Sequence, residues 1–309
     1  MTRPWHTLKH LALPVLCALL CLRLQGDART GDAGWPMAFA AAMPEIVLWA
    51  WEEPEDLRTA PATTAGVAYL AETLLLKTGL ASAGSPATPV LTVVSRHQPL
   101  AVAPGARVMA VVRIIAPPGF RDSDSVREQT AGALAAVARQ PGIAAFQVDF
   151  DATRSQHAFY AEVLRRLRPL LPAGMPLSIT ALVSWCGAAP GDDDWLAGLP
   201  IDEAVPMFFR LGGNTRPFDA KTGYPLREPL CRGSVGISTD ESWPELRRGE
   251  RIYLFAPRPW TAEQLASVDS VAEGRRPAAL ESPYRFEAVD DTGKHGPPNH
   301  QTQPSEPLP

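Results

Sequence analysis

The chain has 309 residues, of which 46% are hydrophobic and 20% charged, and this composition suits one sizeable globular domain with a substantial core. Its formal net charge is −4, and it becomes −6 once residues 1–28, which hold three basic residues and one acidic residue, are removed. A mildly acidic domain is poorly suited to binding nucleic acid or anionic lipid through bulk charge, so neither class of partner is expected.

The N-terminus has the three-part pattern of a secretory signal peptide. Arg3 and Lys9 precede an apolar run over residues 11–22, and small or polar residues follow up to Ala28. The pattern predicts a signal peptide over residues 1–28 and a periplasmic or secreted protein. An uncleaved membrane anchor is the alternative, but a run of 12 residues is shorter than the roughly 20 that span a bilayer. No stable membrane span is expected after cleavage.

Apolar runs typical of strands alternate with amphipathic segments typical of helices. The predicted strands are 45–51, 90–96, 107–115, 143–151, 177–185, 203–209, 234–239 and 251–256. The predicted helical segments are about 63–77, 126–138, 155–168, 195–199 and 262–268. Eight near-continuous apolar strands, most of them separated by helices, predict an α/β fold, a (β/α)8 TIM-like barrel. A doubly wound sheet is the alternative.

The second predicted strand is the irregular point of this barrel. Between Arg96 and Arg107 there is no room for a helix, and the segment can form one arm of a hairpin. In that case the barrel is incomplete or its second strand lies elsewhere. The barrel domain is expected over residues 44–272. The tail 273–309 is rich in Pro, Gly, Arg and Asp and lacks an apolar period, so it is expected to be disordered.

The fourth predicted strand is the most informative stretch, because it ends in Gln147, Asp149 and Asp151 and leads into a helix. Residues two apart on a strand point to the same face, so both carboxylates are expected to project together. In parallel α/β folds the carboxyl ends of the strands present the catalytic groups. Each carboxylate also has a structural alternative: Asp149 can be hydrogen-bonded inside the barrel, and Asp151 can cap the next helix.

The ends of the other predicted strands add carboxylates, arginines and tryptophans to the same rim. These candidates are Trp51, Glu52, Arg113, Trp185, Arg210, Asp240, Glu241 and Trp260. Aromatic faces stack on sugar rings and paired carboxylates supply acid and base, so the set favours a polysaccharide or oligosaccharide ligand. The arginines are the more specific signal, because a buried arginine needs a carboxylate partner. The tryptophans can instead be packing residues, and Asp240 and Glu241 can belong to a solvated loop.

Two cysteines remain after export, Cys186 and Cys231, and in an oxidising compartment a disulfide between them is favoured over two free thiols. The sequence has no nucleotide-binding loop, serine-hydrolase elbow or zinc-protease motif. Only His97 and His157 lie within the expected domain, which argues against a multi-histidine metal site. Neither a metal nor a cofactor is therefore expected.

Several segments, taken together, resemble a bacterial secreted family that is classed as a domain of unknown function. They are VLWAWEEPEDL, QVDFDATRSQHAFY, LSITALVSWC, DEAVPMFFRLGG and GISTDE, in this order over roughly residues 45–260. This resemblance implies no particular activity. More distantly, the chain is similar to chitinase-like TIM-barrel glycoside hydrolases, whose fourth strand ends in DxDxE. Asp149 and Asp151 match the two aspartates, but Thr153 stands where those enzymes have the glutamate that acts as general acid.

The resemblances lead to a first hypothesis, a secreted glycoside-hydrolase-like barrel that acts on a polysaccharide. In a large group of glycosidases the two carboxylates follow the fourth and seventh strands. On that pattern Asp151 is the general acid, Glu241 or Asp240 is the second carboxylate, and Asp149 raises the pKa of the acid. A non-catalytic carbohydrate-binding or envelope scaffold barrel is the alternative, motivated by Thr153. A metal-dependent hydrolase that uses Asp149, Asp151 and Asp240 with a hard cation is a weaker third hypothesis.

Overall fold

The computed structural model describes residues 37–78, 89–117, 119–187, 195–209, 225–273 and 276–280. Within them, eight parallel strands form a closed ring, which confirms the prediction of a TIM-like barrel. Numbered along the chain, the strands that follow one another around the ring are β1 (Ile46–Ala50), β3 (Ala65–Thr78), β6 (Val108–Ile115), β7 (Ile143–Asp149), β8 (Leu177–Leu182), β9 (Glu203–Met207), β10 (Ser234–Ser238) and β11 (Arg251–Phe255). Among the described residues, three strands lie outside the ring, namely β2 (Glu55–Leu57), β4 (Pro89–Ser95) and β5 (Leu100–Val102).

Helices are interspersed between the strands. They are α1 (Met37–Ala42), α2 (Asp124–Ala138), α3 (His157–Leu167), α4 (Val183–Cys186), α5 (Ala262–Ala266) and α6 (Val268–Ala272). Short 3-10 turns lie at Arg154–Gln156, Arg168–Leu170, Pro229–Cys231 and Ala278–Leu280. The two long helices, α2 and α3, lie within a few residues of their predicted positions. The hydroxyl of Ser123 accepts a hydrogen bond from the Val126 N–H at 3.3 Å, so α2 begins where a serine N-cap directs it.

The second strand of the ring is not the predicted one. Residues 63–77, predicted as a helix, contribute to β3, which pairs with β1 on one side and β6 on the other and so closes the ring. The predicted second strand, 90–96, corresponds to β4, which pairs antiparallel with the end of β3 outside the ring. The Ala- and Leu-rich sequence of β3 has a high helix propensity. Burial of Leu74 and Leu76 against the outer core stabilises the strand instead, because tertiary context overrides local propensity.

Most strands of the ring end one or more residues earlier than predicted, and the differences at β7 and β8 affect candidate site residues. β7 ends at Asp149 rather than at residue 151, and β8 ends at Leu182, after which residues 183–186 form α4. These shorter ends place Asp151 and Trp185 beyond the regular alternation of inward and outward side chains.

The hydrophobic core has one layer inside the ring and another between the ring and the helices. The inner layer consists of Phe39, Met43, Val47, Trp49, Ala68, Met109, Val111, Ala145, Val205 and Tyr253. The outer layer is larger and includes the apolar faces of α2 and α3. The ring is therefore a packed core, and the space for chemistry lies at its ends.

Helix α1 closes the N-terminal end of the ring. Arg251 of β11 is 1% exposed, and its guanidinium donates to three main-chain carbonyls in or just after this helix, those of Phe39, Met43 and Pro44. The same guanidinium pairs with the Glu203 carboxylate at 3.0 Å. Since a buried charge needs such partners, these contacts fix α1 against the last strand.

Cys186 and Cys231 form a disulfide, with sulfur atoms 2.14 Å apart and Cα atoms 5.8 Å apart. Packing extends slightly beyond the expected domain limits, because Phe39 and Leu280 are both fully buried. The expected signal peptide and most of the expected tail lie outside the described residues. Across the described ranges, every helix is too short or too polar to cross a membrane.

Candidate functional site

The inward-facing residues at the ends of three neighbouring strands meet at the C-terminal mouth of the barrel. Arg113 of β6 is paired with Asp149 of β7, and Thr180 of β8 lies on the other side of Asp149. The Thr180 hydroxyl donates to one carboxylate oxygen of Asp149 at 2.7 Å, and the other oxygen lies 3.6 Å from Nε of Arg113. We refer to these three residues as the mouth cluster.

Asp149 is the only buried carboxylate among the predicted rim residues, with 8% of its surface exposed. Burial raises its pKa from 3.8 to about 6, the hydrogen bond from Thr180 opposes this rise, and the charge of Asp151 adds to it. Arg113 lowers the pKa least, because its guanidinium is 3.6 Å away and its side chain is 33% exposed to solvent. A carboxyl group with this pKa keeps a proton close to neutral pH, as a general acid must.

Asp151 lies two residues past the end of β7 and is exposed. Gln147 and Asp149 face the interior, as predicted, but the alternation stops where the strand stops. The charge of Asp151 still raises the pKa of Asp149, so the two carboxylates are electrostatic neighbours. The hypothesis that Asp149 acts on Asp151 in turn stays a prediction.

Aromatic side chains from β1 and β11 adjoin the mouth cluster. The Trp51 ring stacks on Trp49, with centroids 5.4 Å apart and planes inclined by 19°, and Phe255 packs on Trp49 at 4.1 Å. The guanidinium carbon of Arg113 lies 5.0 Å from the Trp51 centroid, a cation–π contact. Trp51 is partly exposed, so it is the member of this group that a sugar ring could contact.

The loop after β1 is held by Arg96, which the sequence reasoning missed as a site residue. Its guanidinium donates to the main-chain carbonyls of Trp51 and Glu53, the second at 2.6 Å. Glu52, predicted to bind substrate, lies exposed on this loop. Two features of the sequence could have indicated this contact. Arg96 stands at the end of a predicted strand, and the acidic segment EEPED follows the first strand.

Two of the predicted substrate-binding tryptophans are packing residues. Trp260 is 6% exposed, and its indole Nε1 donates to the Trp49 carbonyl at 2.9 Å. Its main-chain N–H donates to the Glu55 carboxylate at 3.0 Å. Trp185 is 9% exposed and packs edge-on against Trp195, with centroids 5.0 Å apart. Because both rings are buried by protein groups, neither presents an open face to a ligand.

Asp240 and Glu241 lie in the loop after β10 and are partly buried. Asp240 accepts a hydrogen bond from the hydroxyl of Ser238, the last residue of β10, and the Glu241 N–H donates to the Ser238 carbonyl at 3.4 Å. Two strands, β8 and β9, separate β10 from β7 in the ring. A role for either residue as the second carboxylate therefore stays a prediction. Arg210 lies outside the described residues.

Thr180 is a second site residue that the sequence reasoning missed. Its signal is visible in the segment LSITAL, where Ser178 and Thr180 are the polar residues and alternate with apolar ones. Both face the interior, since Ser178 bridges Gln147 and Glu203 through hydrogen bonds of 3.0 Å each. Polar residues two apart in a buried strand thus indicate interior partners for the carboxylate on the next strand.

Among the described residues, no group of three or more His, Cys, Asp or Glu side chains is arranged to hold a metal ion. No family model matches the chain, and no match is found among the curated proteins or the solved structures. The resemblances inferred from sequence segments stay predictions.

Proposed function

We propose that the protein is a secreted or periplasmic glycoside-hydrolase-like barrel that acts on a polysaccharide through carboxylates at its C-terminal mouth. The proposal depends on one observation, the buried Asp149 with a pKa of about 6 next to the exposed Asp151. Glycoside hydrolysis needs one carboxyl group that keeps its proton near neutral pH and another that is ionised. Asp149 meets the first of these needs.

Each residue at the mouth has a role in this proposal. Asp149, with its raised pKa, holds a proton near pH 6, and Asp151, the exposed carboxylate beside it, passes that proton to the glycosidic oxygen. Arg113 and Thr180 orient Asp149. Trp51 contacts a sugar ring with its exposed part.

A second carboxylate from Asp240 or Glu241 would act as base or nucleophile. The distance between this carboxylate and the acid then decides the stereochemistry, since about 5 Å favours retention and roughly 6.5–9.5 Å favours inversion.

The test is hydrolysis of a panel of bacterial exopolysaccharides, measured by release of reducing ends. Asp151→Asn should lower the rate by about 100-fold or more, the usual contribution of a general acid. Glu45→Gln is the matched control, because Glu45 is an exposed carboxylate that precedes β1 at the opposite end of the barrel. Wild-type protein that hydrolyses no glycan, or an Asp151→Asn variant as active as wild type, would overturn the proposal.

A specific contact favours a second candidate function, a non-catalytic carbohydrate-binding barrel. Thr153 stands where the chitinase-like enzymes have their catalytic glutamate, and here it begins a 3-10 turn. Its main-chain N–H and its hydroxyl both donate to Oε1 of Gln156, at 2.9 and 3.0 Å. The position thus has a structural use. Glycan binding that persists in the Asp149→Asn/Asp151→Asn double variant, without hydrolysis by wild type, would favour this candidate.

A further inference from the structure

Two arginines of the ring strands face the interior of the barrel, and the protein uses their donors differently. Arg251 is buried, and its guanidinium donates to three main-chain carbonyls and to the Glu203 carboxylate. The side chain of Arg113 is 33% exposed, and within the described residues its one charged partner is Asp149, at 3.6 Å from Nε. This separation is longer than a hydrogen bond. Arg251 is thus a structural arginine, whereas the protein leaves donors of Arg113 unused.

Asp149 is a weak counter-charge for Arg113. Its carboxyl group accepts a hydrogen bond from Thr180 at 2.7 Å, and burial raises its pKa to about 6, so near that pH it is partly protonated. The charge of Asp151, which is exposed, is screened by solvent and therefore neither neutralises Arg113 nor strongly repels an anion beside it. A partly buried guanidinium needs an anionic partner, and the mouth cluster supplies one only in part.

Trp51 holds the same guanidinium from another side. Its ring centroid lies 5.0 Å from the guanidinium carbon of Arg113, and the ring itself stacks on Trp49 at 5.4 Å. A cation–π contact restrains a guanidinium without using its N–H donors. Arg113 is therefore held in place before a ligand binds, and among the described residues no group accepts a hydrogen bond from its terminal nitrogens Nη1 and Nη2.

These two terminal nitrogens match the two oxygens of a carboxylate, which a guanidinium binds through a pair of parallel hydrogen bonds. The hydroxyl groups of a neutral sugar can accept such bonds but bring no counter-charge. We propose that the substrate is an acidic polysaccharide, and that Arg113 binds the carboxylate of one of its uronic acid units at the mouth. That the ligand is a glycan rests on the proposed function, whereas the need for an anion rests on the surroundings of Arg113.

The test compares the binding of three uronate tetrasaccharides, those of galacturonate, mannuronate and guluronate, with the binding of their methyl esters, by calorimetry. Esterification removes the charge of each carboxylate and keeps the sugar rings and their linkages. At about pH 5.5 the uronates are ionised. At least one tetrasaccharide should bind the wild-type protein about 10- to 100-fold more tightly than its ester, as expected for hydrogen bonds between charged groups.

Arg113→Gln removes the charge and keeps a polar side chain, so it should abolish the preference for the acid and leave the affinity for the ester nearly unchanged. Arg113→Lys restores the charge without the paired donors and should recover part of the preference. This recovery distinguishes loss of the charge from a general disturbance of the mouth. Arg258→Gln is the matched control, because Arg258 is an exposed arginine in the loop after β11, at the same end of the barrel. It should keep the full preference.

Three results would overturn the inference: wild-type protein that binds no uronate more tightly than its ester, an Arg113→Gln variant that keeps the preference, or an Arg258→Gln control that loses it. In the last case the preference would reflect the overall charge of the mouth. Preferential binding of a uronate through Arg113 without hydrolysis of any glycan would support the inference while the proposed hydrolase function fails. Hydrolysis of neutral glycans by a wild-type protein that shows no preference for uronates would do the reverse.

Discussion

Replacing Asp149 with asparagine should remove a loss of stability that the wild-type protein undergoes as the pH rises from about 4 to about 6. In the folded protein burial raises the pKa of Asp149 from 3.8 to about 6. A carboxyl group of this kind contributes stability that is fully present below pH 3.8 and is lost as the pH rises through about 6, because the folded state holds the proton longer than the unfolded chain does. The variant removes this dependence, since asparagine does not titrate.

The size of the effect follows from the shift in pKa. A rise from 3.8 to about 6 corresponds to ~3 kcal/mol of unfolding free energy, at about 1.4 kcal/mol per pH unit. The new amide also contacts Thr180 and Arg113, but the free energy of these contacts does not change with pH. The prediction therefore concerns how the difference in unfolding free energy between the two proteins changes with pH. The difference in unfolding free energy, wild type minus variant, should therefore fall by this amount between about pH 3.5 and about pH 7.5. These two pH values lie on either side of the unfolded and folded pKa values of Asp149.

Urea denaturation of both proteins across this pH range measures the difference, with Glu45→Gln, at an exposed carboxylate on the opposite end of the barrel, as the matched control variant. A difference that stays flat, or that grows with pH, would mean that the attraction to Arg113 outweighs burial. The pKa would then be at or below its ordinary value, and the assignment of Asp149 as proton holder would be refuted.

Four further predictions concern the disulfide, two glycines and Thr180 of the mouth cluster. Removing the disulfide by replacing Cys186 and Cys231 with serine opens a loop of 45 residues and should lower the unfolding free energy by about 4 kcal/mol, measured by urea denaturation under oxidising conditions. Gly66→Ala should destabilise by about 1–3 kcal/mol, because the added Cβ would lie 2.8 Å from a methionine methyl group and 3.2 Å from a main-chain oxygen. Gly132→Ala, in open space on α2, should instead stabilise by about 0.5–1 kcal/mol in the same assay. Thr180→Val should raise the pKa of the buried aspartate further, which carbon-detected NMR titration would report as a later transition.

The interior of the mouth could be predicted from the sequence because alternation along apolar strands fixes which residues face inward. The inward direction of Arg113 and Asp149 was predicted in this way. A charged side chain at the end of a buried strand needs an oppositely charged or hydrogen-bonding partner at the same end of the barrel. β3 could not be predicted, because its alanines and leucines suit a helix locally and only its neighbours in the ring hold it extended.

The exposure of the tryptophan rings could not be predicted, for a different reason. Trp185 and Trp260 follow the ends of their strands, and their burial depends on how the loops pack over the mouth. Sequence spacing carries no information about such packing. Trp51 escapes burial because its loop is held by Arg96, a contact between segments far apart in the sequence.

The closure of the N-terminal end of the ring by α1 has a consequence for the order of folding. The helix is the first described element to be synthesised, yet main-chain carbonyls in it and just after it accept hydrogen bonds from Arg251 of the last strand. β1 likewise pairs with β11. Neither contact can form until almost the whole domain has been made, and contacts of such sequence separation form slowly. A growing chain that has not reached residue 251 can neither close the barrel nor bind α1 through Arg251. We therefore expect the N-terminal part to lack these contacts until β11 has been synthesised.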